Sequence, residues 1–366
     1  MVGHSRDTLA LQRLKDQLWW IVRLTTVLLT CGNDMDGLMT IGQGHSRPGR
    51  SRATDTGNHG YGKTEIDERF DAGALDEDVW TAAYLPAWSS AREAAATYAL
   101  DDDGLRLTIP PGQPLWCPDL HDGPLRVSAV QSGNWSGPVG SSRGQQPFRN
   151  GLVVREAQST RWGLTPHYGY VEVQCRVTLT NRSMFSAWMV GLEDEPDRCG
   201  EICIVEVFGD TVTTGEDGRP VTRLGCGVHA FRDPQLVEAF SADPYPIDVS
   251  IDHRYAIDWQ PGRVEVLVDD VPVKTVHRAP DYPMQLILGV FDFPDRAPAG
   301  QVEVPVPELV VRRVLARTGP IASLPNDLQL WRLRRSRSRP VLARKPSSRP
   351  GRYCIRRSRV FTRAVS

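Results

Sequence analysis

Two glutamates stand close together in an otherwise apolar stretch, GEICIVEVFG, at residues 200–209. An unpaired carboxylate is costly to bury, so carboxylates in such surroundings are usually paired with a cation or have a function. On a regular strand Glu201 and Glu206 would point to opposite faces. One extra residue between them, accommodated as a β-bulge, would bring both side chains to the same face. The spacing therefore allows two carboxyl groups to open into one groove.

Two carboxyl groups on one face are what retaining glycoside hydrolysis requires. An ionised carboxylate attacks the anomeric carbon, and a protonated carboxyl group about 5 to 5.5 Å away donates its proton to the leaving oxygen. Because same-face positions on a flat strand are farther apart, this chemistry requires a bent strand on a concave sheet. The alternative is that both glutamates face solvent or pair with an arginine on a neighbouring strand.

Period-two alternation of apolar and polar residues marks many short segments around this pair. In YGYVEVQCRVTL, at 168–179, every second residue from Val171 to Leu179 is apolar, as in a strand with one buried face. The dipeptides Pro261-Gly262 and Asp269-Asp270 predict turns between later strands. Strands without intervening helical periods favour antiparallel sheets in a sandwich or jelly roll. Further predicted strands are YALDDDGLRLTI, LRVSAVQSG, SMFSAWMVG, GEICIVEVFG, RLGCGVHAF, RYAIDWQ, RVEVLVDD, VPVKTV, MQLILGVFDF and ELVVRRVLA.

The run from Glu201 to Glu206 resembles the active-site signature of glycoside hydrolase family 16, in the laminarinase-like branch whose pattern is Glu-x-Asp-x-x-Glu. The segments YGYVEVQCRV, FSAWMVG and YAIDWQPGRVEVLVDD resemble flanking strands of that family in order and spacing. The resemblance covers roughly residues 70–294. It implies an all-β fold, a concanavalin-like jelly-roll β-sandwich of two antiparallel sheets with a glycan cleft across the concave sheet.

By position, the resemblance implies that Glu201 is the nucleophile and Glu206 the acid/base. The chain departs from the family at Cys203, where the usual residue is Asp. That Asp is taken to hydrogen-bond the nucleophile and to help keep the two carboxyl pKa values apart, and a thiol replaces it badly because it is a weak donor and a poor acceptor. We expect either different tuning of the carboxyl groups or reduced activity.

Four further residues are candidates for substrate binding. The resemblance places Trp188 where it would give a sugar ring a flat apolar face, with core packing as the alternative. His229 could reach the acid/base or a sugar hydroxyl, or could be structural. Trp135 and Trp88 could be outer sugar platforms or core residues.

The function implied is a retaining glycoside hydrolase that cleaves a β-linked glucan, β-1,3 or mixed β-1,3/1,4, by double displacement. Two alternatives remain open. One is a glycan-binding sandwich without turnover, which Cys203 motivates, and the other is a transglycosylase that uses the same residues.

The ends of the chain have a different composition from its middle. We interpret residues 1–66 as an N-terminal extension, partly helical or disordered, residues 67–316 as the β-sandwich, and residues 317–366 as a disordered basic tail. Residues 332–366 carry thirteen positive charges and no acid. This tail is interpreted as a solvated appendage, so nucleic acid is not expected as a partner. The expected protein is a monomer that acts on a polysaccharide.

No apolar run reaches the roughly 18 to 20 residues that span a bilayer. The segment from Leu18 to Cys31 has the length of a secretory core, but Arg23 lies inside it. The location is therefore left open, although the substrate class favours a secreted or cell-surface protein.

The seven cysteines are scattered without zinc spacing, so no cofactor or zinc site is expected. The acidic turn at 193–197 could bind a structural calcium ion, with a solvated hairpin tip as the alternative.

Overall fold

The computed structural model describes residues 65–296 and 305–317. The predicted N-terminal helix, the segment considered as an export signal, and the basic tail lie outside these residues. Within them, single turns of 3₁₀-helix lie at Pro86–Trp88, Gly209–Thr211 and Pro294–Arg296. The strands of these residues are β1 (Glu65–Glu68), β2 (Thr97–Asp101), β3 (Gly104–Thr108), β4 (Arg126–Gln131), β5 (Gly133–Asn134), β6 (Arg161–Trp162), β7 (Gly169–Thr178), β8 (Ser183–Gly191), β9 (Glu201–Phe208), β10 (Val212–Thr214), β11 (Pro220–His229), β12 (Ser241–Tyr245), β13 (His253–Gln260), β14 (Arg263–Val268), β15 (Val271–His277), β16 (Met284–Asp292) and β17 (Glu308–Arg317).

Two large antiparallel sheets contain almost all of these strands. The first has the order β15-β14-β13-β7-β17-β3-β2, with β1 also paired to β17. The second has the order β10-β11-β9-β8-β16-β4, with β12 paired to the outer side of β11. The predicted all-β fold of two antiparallel sheets is confirmed. Among the described residues no helix is both long and apolar enough to cross a bilayer.

The main core lies between the two sheets. On β7 the alternating residues Val171, Val173, Cys175 and Val177 are buried in it, as their period of two predicts. Ile202, which is on β9, is one of the residues that meet them from the second sheet. Apolar area removed from water contributes about 25 cal/mol per Å², so this layer is the main stabilising feature of the sandwich.

A second apolar cluster covers part of the outer face of the seven-stranded sheet. Loop residues such as Tyr84, Trp116 and Leu152 pack there on Trp188 of β8 and Phe291 of β16. Within the described residues, β9 contributes to this cluster only through Phe208 at its end, and β11 contributes no residue. The covering loops therefore end beside β9, which is where the two glutamates lie.

Candidate active site

A β-bulge in β9 brings the two glutamates to the same face. Against β8, Cys203 pairs with Trp188 and Val205 pairs with Ala187, so one residue of β9, Ile204, has no partner. Against β11 the register shifts over the same stretch. The bulge that would bring both glutamates to one face is thus present on both sides of the strand.

Burial along β9 follows this irregular register. Ile202, Ile204, Val205 and Val207 belong to the core between the sheets. Because Ile204 and Val205 are consecutive and both point inward, the alternation restarts after the bulge, and the outward positions are 201, 203 and 206. Glu201 and Glu206 are half-buried, while Cys203 between them is fully buried. Both carboxyl groups thus lie on the outer face, at the edge of the covering loops.

Burial controls the protonation of both glutamates. It raises the pKa of Glu201 to about 7. The nearby His229 acts to lower this pKa, and Glu206 adds a smaller upward contribution. It also raises the pKa of Glu206, which His229 again opposes. Among the described residues neither carboxyl group forms an ion pair with Lys or Arg. The expected alternative of arginine pairing is therefore absent from the part of the chain that the structure describes.

His229 lies beside Glu201 on the neighbouring strand, where the two residues are cross-strand partners. Its side chain is only 9% exposed, and the ring stacks on Phe240 at a centroid distance of 4.3 Å. Its Nδ1 lies 2.7 Å from Oε1 of Glu238. Burial disfavours the imidazolium, but the hydrogen bond to Glu238 and the nearby Glu201 outweigh burial and raise the pKa of His229. The structure thus brings this predicted residue next to the two glutamates.

Two glycines make room for the segment that carries Phe240. Gly225 pairs with Glu206, and a Cβ on Gly225 would approach the Phe240 ring to 2.6 Å. Gly227 pairs with Cys203 and has a φ of 131°, and a Cβ there would meet the carbonyl oxygen of Ala239 at 2.2 Å. Larger residues at either position would push Phe240 away from the glutamates.

A hydrogen-bonded group from three loops reaches Glu201 from the other side. Nε2 of Gln146 donates to Oε2 of Glu201 at 3.4 Å, and the backbone N–H of Gln146 donates to Oε1 of Glu193 at 2.5 Å. Arg232 donates to Oε2 of Glu193 at 2.6 Å. Glu193 is 7% exposed, and burial raises its pKa to about 7 although Arg232 opposes this. We call Gln146, Glu193 and Arg232 the loop clamp.

The predicted sugar platforms Trp88 and Trp135 are buried supports of this clamp. Trp88 has no exposed surface, so no ring face is open to a sugar, and its Nε1 donates to the carbonyl of Gln145 at 2.7 Å. Nε1 of Trp135 donates to the carbonyl of Leu192 at 2.6 Å. Each indole therefore holds the residue that precedes a member of the clamp.

Trp188 lies on the same outer face as the glutamates but is largely covered. It is the cross-strand partner of Cys203. Its ring is 5% exposed and packs 6.0 Å from Phe291 and 6.3 Å from Tyr84, measured between centroids. Little of the ring is open for stacking on a sugar.

Cys203 occupies the position between the two glutamates without bonding to either. Its Sγ donates weakly to the carbonyl of Gly225 at 3.8 Å. Burial, with the neighbouring carboxyl groups, raises the pKa of Cys203 well above its usual value, so the residue is a neutral thiol. The expectation that it replaces a carboxyl group poorly agrees with this geometry.

The acidic turn before β9 is only partly solvated. Asp194, Glu195 and Asp197 are exposed, but Glu193 turns inward to Arg232. Among residues 65–296 and 305–317 there is no group of three or more His, Cys, Asp or Glu side chains that could hold a metal ion. The five cysteines of these residues are free and buried.

Sequence reasoning missed the residues that come from distant loops. Gln146 contacts a residue 55 positions later, and nothing in its local sequence marks it. Glu238 and Phe240 follow His229 closely, but only the return of the chain over Gly225 and Gly227 brings them to the site. These residues are recognised as part of the site only from the folded structure.

Comparison with known proteins confirms the family resemblance over the part of the chain that contains the site. Residues 158–304 match the model of the family described as Glycosyl hydrolases family 16. A search of the curated proteins found no match to the sequence.

Several solved structures are similar to this chain, and the first of those named here has the same fold. The GlcNAcα1-4Gal-releasing endo-β-galactosidase from Clostridium perfringens is 24% identical, with a TM-score of 0.57, and the match covers 75% of this chain and 66% of that one. This chain thus spans slightly less than two thirds of that enzyme. The laminarinase from Flavobacterium sp. UMI-01 is 16% identical, with a TM-score of 0.42 and coverage of 69% and 98%. The apo Crh5 transglycosylase is 15% identical, with a TM-score of 0.42 and coverage of 70% and 85%.

Proposed function

We propose, from the premise that residues 158–304 are a glycosyl hydrolase family 16 segment, that this protein is a retaining glycoside hydrolase that cleaves a β-linked glucan. The observation that carries the proposal is the β-bulge in β9, which turns Glu201 and Glu206 to one half-buried face. The glucan linkage proposed is β-1,3 or mixed β-1,3/1,4.

The proposed reaction is a double displacement with two carboxyl groups. Glu201 attacks the anomeric carbon, while Glu206 gives its proton to the leaving oxygen. Glu206 then takes a proton from water, which attacks the glycosyl-enzyme and releases Glu201. Transglycosylation is the same sequence with a sugar hydroxyl in place of water.

Burial and coupling together govern the protonation of the two carboxyl groups. Burial favours the neutral form of each, so ionising both is costly. Two interacting carboxyl groups lose their protons in two separate steps, and between these steps one is ionised and one is protonated. His229 assists the first ionisation because its imidazolium lies close to both. Between the two steps one of the two carboxyl groups is ionised, and the proposed roles require that it is Glu201.

The experiment that tests this proposal is hydrolysis of a polysaccharide panel by the full chain. We expect reducing ends from laminarin or mixed-linkage glucan with wild-type protein and none with Glu201→Gln, with the fold of the variant checked by circular dichroism. Glycans that carry GlcNAcα1-4Gal belong in the panel because the Clostridium perfringens neighbour is an endo-β-galactosidase that releases this unit. Absence of turnover on every member would remove the hydrolase proposal.

The assignment of roles is tested with an activated substrate. An aryl β-glycoside with a 2,4-dinitrophenolate leaving group needs no proton for the first step. Glu206→Gln should therefore form the glycosyl-enzyme at a nearly unchanged rate, whereas Glu201→Gln should not form it. The reverse pattern would exchange the two roles.

A glycan-binding protein without turnover is the second candidate, and the neutral thiol of Cys203 favours it. This candidate requires saturable glucan binding without release of reducing ends, unchanged in Glu206→Gln. Cys203→Asp separates the two candidates. If only this variant hydrolyses glucan, the thiol of Cys203 is what prevents turnover in the wild-type protein.

A further inference from the structure

Glu201 receives a side-chain hydrogen bond from a single donor among the described residues, Gln146. The bond runs from Nε2 to Oε2 at 3.4 Å. Oε1 of Gln146 is buried and has no partner in the same residues. Since an ionised carboxylate only accepts hydrogen bonds, the amide orientation with Nε2 toward Glu201 suits the anionic form of Glu201.

The clamp fixes where this amide can lie. The backbone N–H of Gln146 is held by Glu193, which Arg232 holds in turn. Gln146 has a φ of 44° and Glu193 a φ of 55°, which are left-handed values that non-glycine residues rarely adopt. Such conformations are unfavourable in themselves and persist only where surrounding contacts impose them. Here the short charge-assisted hydrogen bond from the backbone N–H of Gln146 to Oε1 of Glu193 joins the two left-handed residues directly.

Two buried indoles support the backbone on which Gln146 and Glu193 lie. Trp88 donates to the carbonyl of residue 145 and Trp135 to that of residue 192, the positions just before the two left-handed residues. Gly144 lies against the Trp88 ring, where an added Cβ would meet Cζ2 at 2.7 Å. The loop that carries Gln146 is thus packed on a rigid support rather than resting on the surface.

We propose that Gln146, held by Glu193 and Arg232, is the positioning residue of Glu201, and that its amide donates to the Glu201 carboxylate in place of any contribution from residue 203. Cys203 cannot do this because its thiol faces the carbonyl of Gly225. The inference rests on the proposed function for its catalytic meaning. The effect on the protonation of Glu201 is independent of turnover.

Other charged groups also act on Glu201 and set the background for any pH measurement. The clamp contributes a buried carboxyl group whose own pKa is raised to about 7 by burial. The ionisable groups near Glu201 are Glu206 and Cys203 on its own strand, His229 on β11, Glu238 and Arg232 in the following loop, Glu193 in the preceding loop, and Tyr84 among the covering loops.

The experiment compares Gln146→Met with Gln235→Met in the full chain. Methionine is close to glutamine in size but has no N–H donor, and Gln235 is an exposed residue of the loop after β11. The titration of the Glu201 carboxyl carbon is followed by ¹³C NMR, with its resonance assigned by its loss in Glu201→Gln. The parameters kcat and KM are measured against pH in parallel.

We expect Gln146→Met to raise the pKa of Glu201 and to move the acid limb of the kcat profile to higher pH. The value of kcat should fall about tenfold, with KM nearly unchanged, because the lost interaction acts on the nucleophile. Gln146→Glu places a carboxylate beside Glu201 and should raise its pKa further. The Gln235→Met control should titrate and react as wild type.

A Glu201 titration in Gln146→Met that matches the control would overturn the inference, whether or not the protein turns over glucan. A raised pKa together with an inactive wild-type protein would keep the inference and remove the proposed function. Where Gln146→Met does not fold, Glu193→Gln provides the same comparison, since it weakens the clamp and leaves Gln146 in place. A smaller rise in that variant supports the inference, and no rise overturns it.

Discussion

Asp103 of the eight-stranded sheet and the glutamates Glu201 and Glu206 of the seven-stranded sheet lie in opposite surroundings. In the turn between β2 and β3 of the eight-stranded sheet, Asp103 is paired with Arg176 at 2.6 Å and with Arg312 at 2.6 Å. On the seven-stranded sheet, Glu201 and Glu206 have no such partner within the described residues and lie half-buried beside apolar loops. Asp103 is thus paired with arginines, whereas Glu201 and Glu206 lack such partners among the described residues.

This difference appears in the pKa values. The hydrogen bond from Arg176 and the other nearby guanidinium lower the pKa of Asp103. Burial raises the pKa of Glu201 to about 7. A paired surface acid stays ionised and has a structural role, whereas a desolvated, unpaired acid can exchange a proton near neutral pH. The comparison teaches that the surroundings of a carboxyl group, more than its presence in a strand, mark it as functional.

The largest effect is expected on kcat, and it should differ between variants of the two sheets. Glu206→Gln should lower kcat on a natural glucan by roughly 10²- to 10⁴-fold, because it removes the general acid. Asp103→Asn removes a carboxylate of the other face and should leave kcat unchanged. Initial rates of reducing-end release measure both. A similar loss in the two variants would mean that the contrast between the faces has no catalytic meaning.

The second prediction concerns stability against pH. The pKa of Glu201 is higher in the folded than in the unfolded protein, so the folded state binds the proton more tightly. The stabilisation by this proton is fully present below about pH 4.5 and is lost as the pH rises towards about 7. Glu201→Gln should therefore gain up to roughly 3 kcal/mol relative to wild type between these limits. Urea unfolding of both proteins at pH 4 and pH 8 measures it.

The same difference between variant and wild type at both pH values would contradict the raised pKa. Glu195→Gln is a suitable control, since Glu195 is an exposed acid in the turn before β9. Its stability relative to wild type should change little over this range.

A third prediction concerns the support of the active face. Trp88→Phe keeps an aromatic ring but removes the hydrogen bond to the carbonyl of Gln145, so stability should fall by about 1 kcal/mol. Because that carbonyl precedes Gln146, kcat should fall severalfold with KM unchanged. Trp162→Phe is the matched control, since Trp162 is 39% exposed. Equal kcat values in the two variants would show that Trp88 serves the fold alone.

The smallest effect is expected on the paired face. The pKa of Asp103 is lowered by its arginines, so the stability it contributes is present above the ordinary carboxyl pKa and is lost as the pH falls through the lowered value. Asp103→Asn should reduce the melting temperature slightly at pH 7 and less at pH 3. Because exposed ion pairs contribute little, this change should be smaller than that of Trp88→Phe. A larger loss at pH 3 than at pH 7 would reverse the proposed sign.

Local sequence predicted the strands well because each strand has its own pattern. The alternation from Val171 to Val177 needs one buried face and nothing more, and the structure confirms it. The dipeptide Asp269-Asp270 has φ values of 48° and 65°, as a tight hairpin between β14 and β15 requires. Each of these features depends on a few consecutive residues, so the local sequence predicts it.

The roles proposed for tryptophans were harder to predict. An indole buries a large area in a core as readily as it stacks on a sugar, so composition does not separate the two uses. Trp88 and Trp135 became supports because loops from elsewhere in the chain placed carbonyl groups against their N–H donors. No local pattern encodes those partners.

The sequence by itself determined an all-β sandwich and a strand with two glutamates, because strand periodicity and the cost of burying carboxylates act over short distances. The tertiary structure supplied the bulge that turns both glutamates to one face. Only the tertiary structure decided that Glu201 is held by Gln146 and faces His229, and that both glutamates have no arginine partner among the described residues. Hydrogen bonds and desolvation depend on which distant segments meet. They exist only once the chain has folded.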